Sequence, residues 1–177
     1  MQESADFLNN QAIELTSRGN FTEAIACYKR AITIERENSL LWFNLGITYQ
    51  KQGDLRAAKR AFSTALEMAP QDEEAAEQLA IVCLERKEFM EAAEHCQRGL
   101  DQNPVNAHLW NTLGVIFFNQ EEYPIAAESF ERAVSINPYY YDALYNLRDT
   151  YSELGNKAGK AVCDERLSKL KEPKEDL

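Results

Sequence analysis

Pro70, Pro104 and Pro138 fall at equal intervals of about 34 residues, and no other feature constrains the fold as tightly. Arg36 occupies the corresponding place one period earlier. Many other columns keep the same step. Leu45, Leu79, Leu113 and Leu147 form one unbroken column. Small residues recur as Ala12, Gly46, Ala80 and Gly114, as Ala24, Ala58, Ala92 and Ala126, and as Ala31, Ala65, Gly99 and Ala133. Bulky ones recur as Leu15, Tyr49, Cys83, Phe117 and Tyr151, and as Tyr28, Phe62, Cys96 and Phe130. Trp42 and Trp110 lie two periods apart, with Ala76 between them and Leu8 and Leu144 outside. A chain with this regularity is built from copies of one small unit stacked on its neighbours.

Within a unit, Trp42, Leu45, Gly46 and Tyr49 have the three- and four-residue spacing of one helix face. Gly53-Asp54 breaks that helix. Leu55, Ala58, Phe62, Ala65 and Leu66 then mark a second amphipathic helix, and Pro70 lies just past its end. Pro124 sits where the second helix of its unit begins, a place that tolerates proline. Each unit therefore reads as a helical hairpin. Small residues let the axes approach while Trp42, Tyr49 and Phe62 fill the flanking space. Full burial of Trp42 or Trp110 would make truncation to alanine cost about 3–5 kcal/mol.

The combination of Trp, Leu-Gly, Tyr, Ala, Phe, Ala and Pro at these offsets resembles the tetratricopeptide repeat family. Repeats 39–72 and 107–140 match almost fully. Repeat 5–38 lacks the tryptophan and proline, and repeat 73–106 has Ala76, Cys83 and Cys96 in the aromatic places and Lys87 at the turn. Repeat 141–171 follows the pattern through Gly155, after which Lys160 and Asp164 replace the alanine and aromatic, as suits a polar cap. The resemblance implies an all-α, right-handed solenoid of about five antiparallel helix pairs. It reads as a single domain over 1–177.

The resemblance also implies a concave groove lined by the first helix of each repeat. Its inward column would be Ile13, Ile47, Ile81, Val115 and Asp149, beside Asn9, Phe43, Glu77, Asn111 and Tyr145, with Leu40, Leu84 and Phe118 toward the helix ends. Glu74, Glu77, Glu85, Asp142, Asp149 and Glu153 would edge it with acid. Such a surface suits an amphipathic helix or extended segment with apolar anchors and basic flanks. The competing reading is that the Ile/Val column packs against neighbouring first helices, since lone apolar residues need no function. Phe43, Phe118 and Tyr145 are the stronger binding candidates, because core packing does not obviously require aromatics there. Mutating Phe43 and Phe118 to alanine is then expected to abolish capture at nearly unchanged melting temperature. Some family members clamp a C-terminal carboxylate with lysines, arginine and asparagines. Here Asn44 matches one asparagine, but the other places read Asn9, Ile13, Glu74 and Gln78, so that clamp is not expected.

Composition narrows the partner. The formal net charge is −10, which repels phosphate backbones and argues against nucleic acid. Between Glu73 and Asn106 eight acids face only Arg86, Lys87 and Arg98, so a basic protein surface is favoured for encounter. Met1-Gln2-Glu3-Ser4-Ala5-Asp6 has no apolar stretch behind a basic start and does not read as a secretory signal. No run of about 18 apolar residues appears, and a soluble cytoplasmic protein is expected. Cys27, Cys83, Cys96 and Cys163 show no Cys-x-x-Cys pair and read as buried free thiols.

There is no glycine-rich phosphate loop, nucleophile elbow or His-Glu-x-x-His helix. Cys83 and Cys96 fall in core columns, where they could face each other. His95 is expected to look outward, and His108 to face solvent near the groove edge. These side chains fall short of the roughly four ligands a structural zinc needs. The sequence therefore reads as a non-enzymatic adaptor or scaffold without cofactors, binding another protein. The rival readings are self-assembly through Tyr139, Tyr140, Tyr141 and the last helix, and an enzyme or metal protein using Cys83, Cys96 and His95.

Overall fold

The computed structural model describes residues 4–171. Met1, Gln2 and Glu3, which carry part of the N-terminal reading, lie outside the described residues. Among those described there are ten helices and no strand: α1 (Ala5–Ser17), α2 (Phe21–Ile34), α3 (Ser39–Gln52), α4 (Leu55–Met68), α5 (Glu73–Glu85), α6 (Phe89–Gln102), α7 (Ala107–Asn119), α8 (Tyr123–Ile136), α9 (Tyr141–Glu153) and α10 (Lys157–Lys171). The result is an all-α helical repeat fold.

Local chemistry sets several helix ends. Ser4, Asn38, Asp54, Asp72 and Asn106 accept backbone N–H bonds at the starts of α1, α3, α4, α5 and α7, satisfying donors the first turn leaves unpaired. Pro124 occupies the first turn of α8. Gly53 closes α3 at φ 89°, where a Cβ would be strained.

The chain forms two compact units, one running through Glu88 and one from Phe89 onward. In the first, α1 packs on α2, α2 on α3, α3 on α4 and α4 on α5. Its core gathers Leu8, Tyr28, Leu41 and Leu45 with the alanines Ala5, Ala12, Ala24, Ala31 and Ala61. In the second, α6 packs on α7, α7 on α8, α8 on α9 and α9 on α10. There Phe130, Val134, Leu144, Leu147, Cys163 and Leu167 form the core.

Close packing within the α3–α4 and α7–α8 pairs rests on glycine against phenylalanine. A Cβ on Gly46 would lie 2.6 Å from the Phe62 ring, and one on Gly114 the same distance from Phe130. The matching positions of the last pair hold Arg148 and Asp164, whose charged groups approach at 4.0 Å. An ion pair thus replaces the apolar contact where the pattern decays. The last helix nevertheless forms in full, because Cys163 and Leu167 keep its buried face against the second core.

Two expectations about burial need correction. Trp42 and Trp110 are half-buried, not fully enclosed. Their indole N–H groups reach back to the loop before their helix, donating to Arg36 O at 3.4 Å and Pro104 O at 2.8 Å. That reach leaves one ring edge in water and lowers the truncation cost below that of a fully buried ring. His95 does not project outward either. Its side chain is 14% exposed and its Nε2 lies 3.7 Å from Glu91, one turn earlier along α6.

Candidate partner-binding surface

In the first unit the expected groove residues lie on α1, α3 and α5. None is fully buried. Ile13 is 47% exposed and Leu40 54%, while Asn9, Phe43, Ile47, Glu77, Ile81 and Leu84 are half-buried. Side-chain bonds tie these helices together across the period. The Asn44 amide donates to Asn9 Oδ1 at 3.0 Å, and the Thr16 and Thr48 hydroxyls meet at 2.9 Å. Gln50 Nε2 donates to Glu85 Oε1 at 3.2 Å. Asn44 therefore holds α3 to α1 instead of standing open to a carboxylate.

In the second unit the remaining candidates lie on α7 and α9. Asn111 accepts from Asn146 Nδ2 at 3.0 Å, repeating the amide bridge of the first unit. Val115 and Phe118 are half-buried against the second core. Tyr145 is 42% exposed. Its ring stacks on Tyr141 at 6.4 Å and lies 4.0 Å from the Arg148 guanidinium, a cation–π arrangement. Asp149 pairs with that same guanidinium at 2.6 Å, so it adds little net negative charge to the edge.

The three aromatics singled out from sequence differ in what holds them. Phe43 lies 5.5 Å from the buried Phe62 ring, and Phe118 meets Tyr123 edge-on at 5.3 Å. Both rings contribute to packing inside their helix pairs, so truncating them is expected to lower the melting temperature as well. Only Tyr145 faces water broadly. Exposed acids near these faces are Glu74, Glu85, Asp142 and Glu153. Burial, reinforced by the Glu153 and Glu121 carboxylates, pushes the Tyr123 phenol up from its ordinary pKa.

Cys27, Cys83, Cys96 and Cys163 are buried. Burial pushes the Cys27 and Cys163 thiols up, which suppresses the nucleophilic thiolate. His108 is exposed, its Nδ1 3.0 Å from the Tyr140 hydroxyl. Tyr139 and Tyr141 are exposed. The asparagine bridges and the Tyr145–Arg148–Asp149 cluster were not visible in the repeat pattern. The bridging asparagines lie 35 residues apart, one beyond the period, so no single column displays them.

A stack of helix pairs with a partly apolar face on its first helices defines a protein-interaction module. A family model described as "TPR repeat" matches residues 12–53, and models described as "Tetratricopeptide repeat" match 43–107 and 107–140. The chain belongs to the tetratricopeptide repeat family. The peroxisomal targeting signal receptor of Candida albicans is 31% identical over 85 residues, covering 48% of this chain and 14% of the receptor. The chain thus spans about a seventh of that relative's length. Among solved structures, MamA from Desulfovibrio magneticus aligns with a TM-score of 0.78 at 20% identity, covering 96% of this chain and 94% of that one. YrrB, described as a TPR protein with an unusual peptide-binding site, aligns at 0.72 and 20% identity over 94% and 86%. At these identities the structural likenesses speak for the fold alone. Among the described residues, no helix is long and apolar enough to cross a membrane.

Proposed function

We propose that this chain is a cytoplasmic adaptor that holds a peptide segment or amphipathic helix of another protein along its first helices. In this reading repeats 5–38, 39–72, 73–106, 107–140 and 141–171 each contribute the open face of their first helix to partner binding. The observation that carries it is apolar surface left open on that face: Ile13, Leu40 and Tyr145 are exposed beside half-buried Phe43, Ile47, Ile81, Leu84 and Val115. Core packing does not consume these side chains fully, and a helix-in-groove partner would. Glu74, Asp142 and Glu153 favour Lys or Arg in that partner by charge complementarity.

The test is capture from the organism's own lysate by the full chain and by a Leu40→Glu/Tyr145→Ala variant. Both substitutions fall on exposed residues, so helicity and melting temperature are expected to hold while capture is lost. Equal capture by both forms would reject the groove. Self-association is the second reading, favoured by the exposed Tyr139 and Tyr141 rings. Sedimentation showing a monomer at all concentrations would end it.

A further inference from the structure

The two units carry related furrows with opposite character. In the first unit a cleft of about 190 Å³ lies over Trp42, Leu45 and Tyr49 and is edged by Lys29 and Arg60. Two periods later the same place in the second unit holds about 590 Å³. Trp110, Leu113 and Phe117 of α7 form its floor, α6 supplies Ala93 and Glu94 to one wall, and α8 supplies Ile125 and Glu128 to the other.

One substitution along the repeat distinguishes the two clefts. Position 25 is isoleucine, which packs onto the same apolar cluster as Trp42 and Tyr49. The corresponding residue of α6 is Ala93, whose small side chain leaves that space open. Lys29 becomes Gln97 and Arg60 becomes Glu128, so the larger cleft has two acids among its lining residues and no base. Met90 at its mouth is 79% exposed, a large apolar side chain with no packing duty. The Arg132 guanidinium lies 6.0 Å from the Trp110 ring centroid. At about 100° per residue the mean direction of the α7 floor residues lies about 130° from that of Asn111, Val115 and Phe118, so the cleft opens on a different side of α7 from the groove.

We propose that the cleft between α6 and α8 is a second docking site, taking an apolar peptide segment of another protein flanked by Lys or Arg. An aliphatic side chain of that segment seats on Trp110, Leu113 and Phe117 in the space Ala93 leaves, and Met90 closes over it. Its flanking bases meet Glu94 and Glu128 on opposite walls. The acid pair selects partners by charge, and the apolar floor supplies the affinity.

The experiment uses the full chain and a fluorescein-labelled leucine peptide flanked by lysines, with a glutamate-flanked twin as control, read by fluorescence polarisation. The native chain is expected to prefer the lysine peptide by about tenfold or more. Ala93→Ile, which installs the first unit's residue, is expected to weaken binding about tenfold at unchanged melting temperature. Glu94→Lys with Glu128→Lys is expected to reverse the peptide preference. Equal affinity for both peptides, or indifference to Ala93→Ile, would overturn the proposal. So would loss of binding in the Leu40/Tyr145 variant, which would return the peptide to the groove. A dimer that Ala93→Ile dissolves in sedimentation would assign the cleft to a second copy and also overturn it.

Discussion

Gly46 and Phe62 show how one missing methyl group can hold a helix pair together. The Phe62 ring is fully buried and occupies the space a Cβ on Gly46 would need. Gly46→Ala is therefore expected to destabilise by about 1–3 kcal/mol through overpacking, despite alanine's better helix propensity. Urea denaturation checks this, and Gly114→Ala against Phe130 is expected to behave alike. Glu88 makes a different single-residue prediction. Hydrogen bonds from Arg86 and Lys59, at 2.9 and 2.8 Å, lower its carboxyl from 4.5 to about 2. A depressed folded-state pKa stabilises above the unfolded value and is lost as pH falls through the folded one. Glu88's contribution should thus be present above pH 4.5 and fade between 4.5 and about 2. Denaturation at a series of pH values is expected to show that loss, and Glu88→Gln to flatten it while lowering stability at neutral pH.

Between the two helices of each pair the chain passes through one left-handed residue, at 19, 53, 87, 121 and 155. Three are glycine, but Lys87 and Glu121 adopt φ 62° with a side chain in place. That conformation strains a side-chain-bearing residue, and glycine relieves the strain at some cost in unfolded-state entropy. Lys87→Gly and Glu121→Gly are each expected to stabilise by about 0.5–1 kcal/mol, and thermal melts of the single variants test this. These elements show what the sequence could display. Helix positions were legible because proline, alanine and leucine columns repeat and capping residues sit at the starts. Lys87 and Glu121 stand where Gly19, Gly53 and Gly155 recur, so the period marks the turn although neither residue type signals a left-handed conformation by itself. Phe43 and Phe118 misled in a related way. A helix's own pattern gives their direction, yet their burial depends on Phe62 and Tyr123 from the second helix of the pair. His95 was misplaced because angular position alone ignores the neighbour its ring lies along.

Across the whole molecule, one repeated scaffold presents surfaces that differ by substitution and not by backbone. The groove candidates were legible only as far as the resemblance carried them, because exposure on a first helix follows from what the next helix covers. The outer cleft was not legible at all, since Ala93 looks like one more small residue until its counterpart Ile25 is seen packed on the core. The central claim is that a protein partner lies along the first helices, and photo-crosslinking locates such a partner directly. A photoreactive phenylalanine analogue would replace Leu40 or Tyr145 of the full chain, with exposed Thr22 on α2 as the comparison site. Irradiation in lysate followed by mass spectrometry is expected to join the same partner peptide to the positions of Leu40 and Tyr145 and to leave Thr22 bare. Adducts at Thr22 alone, or none at either first-helix position, would contradict the account.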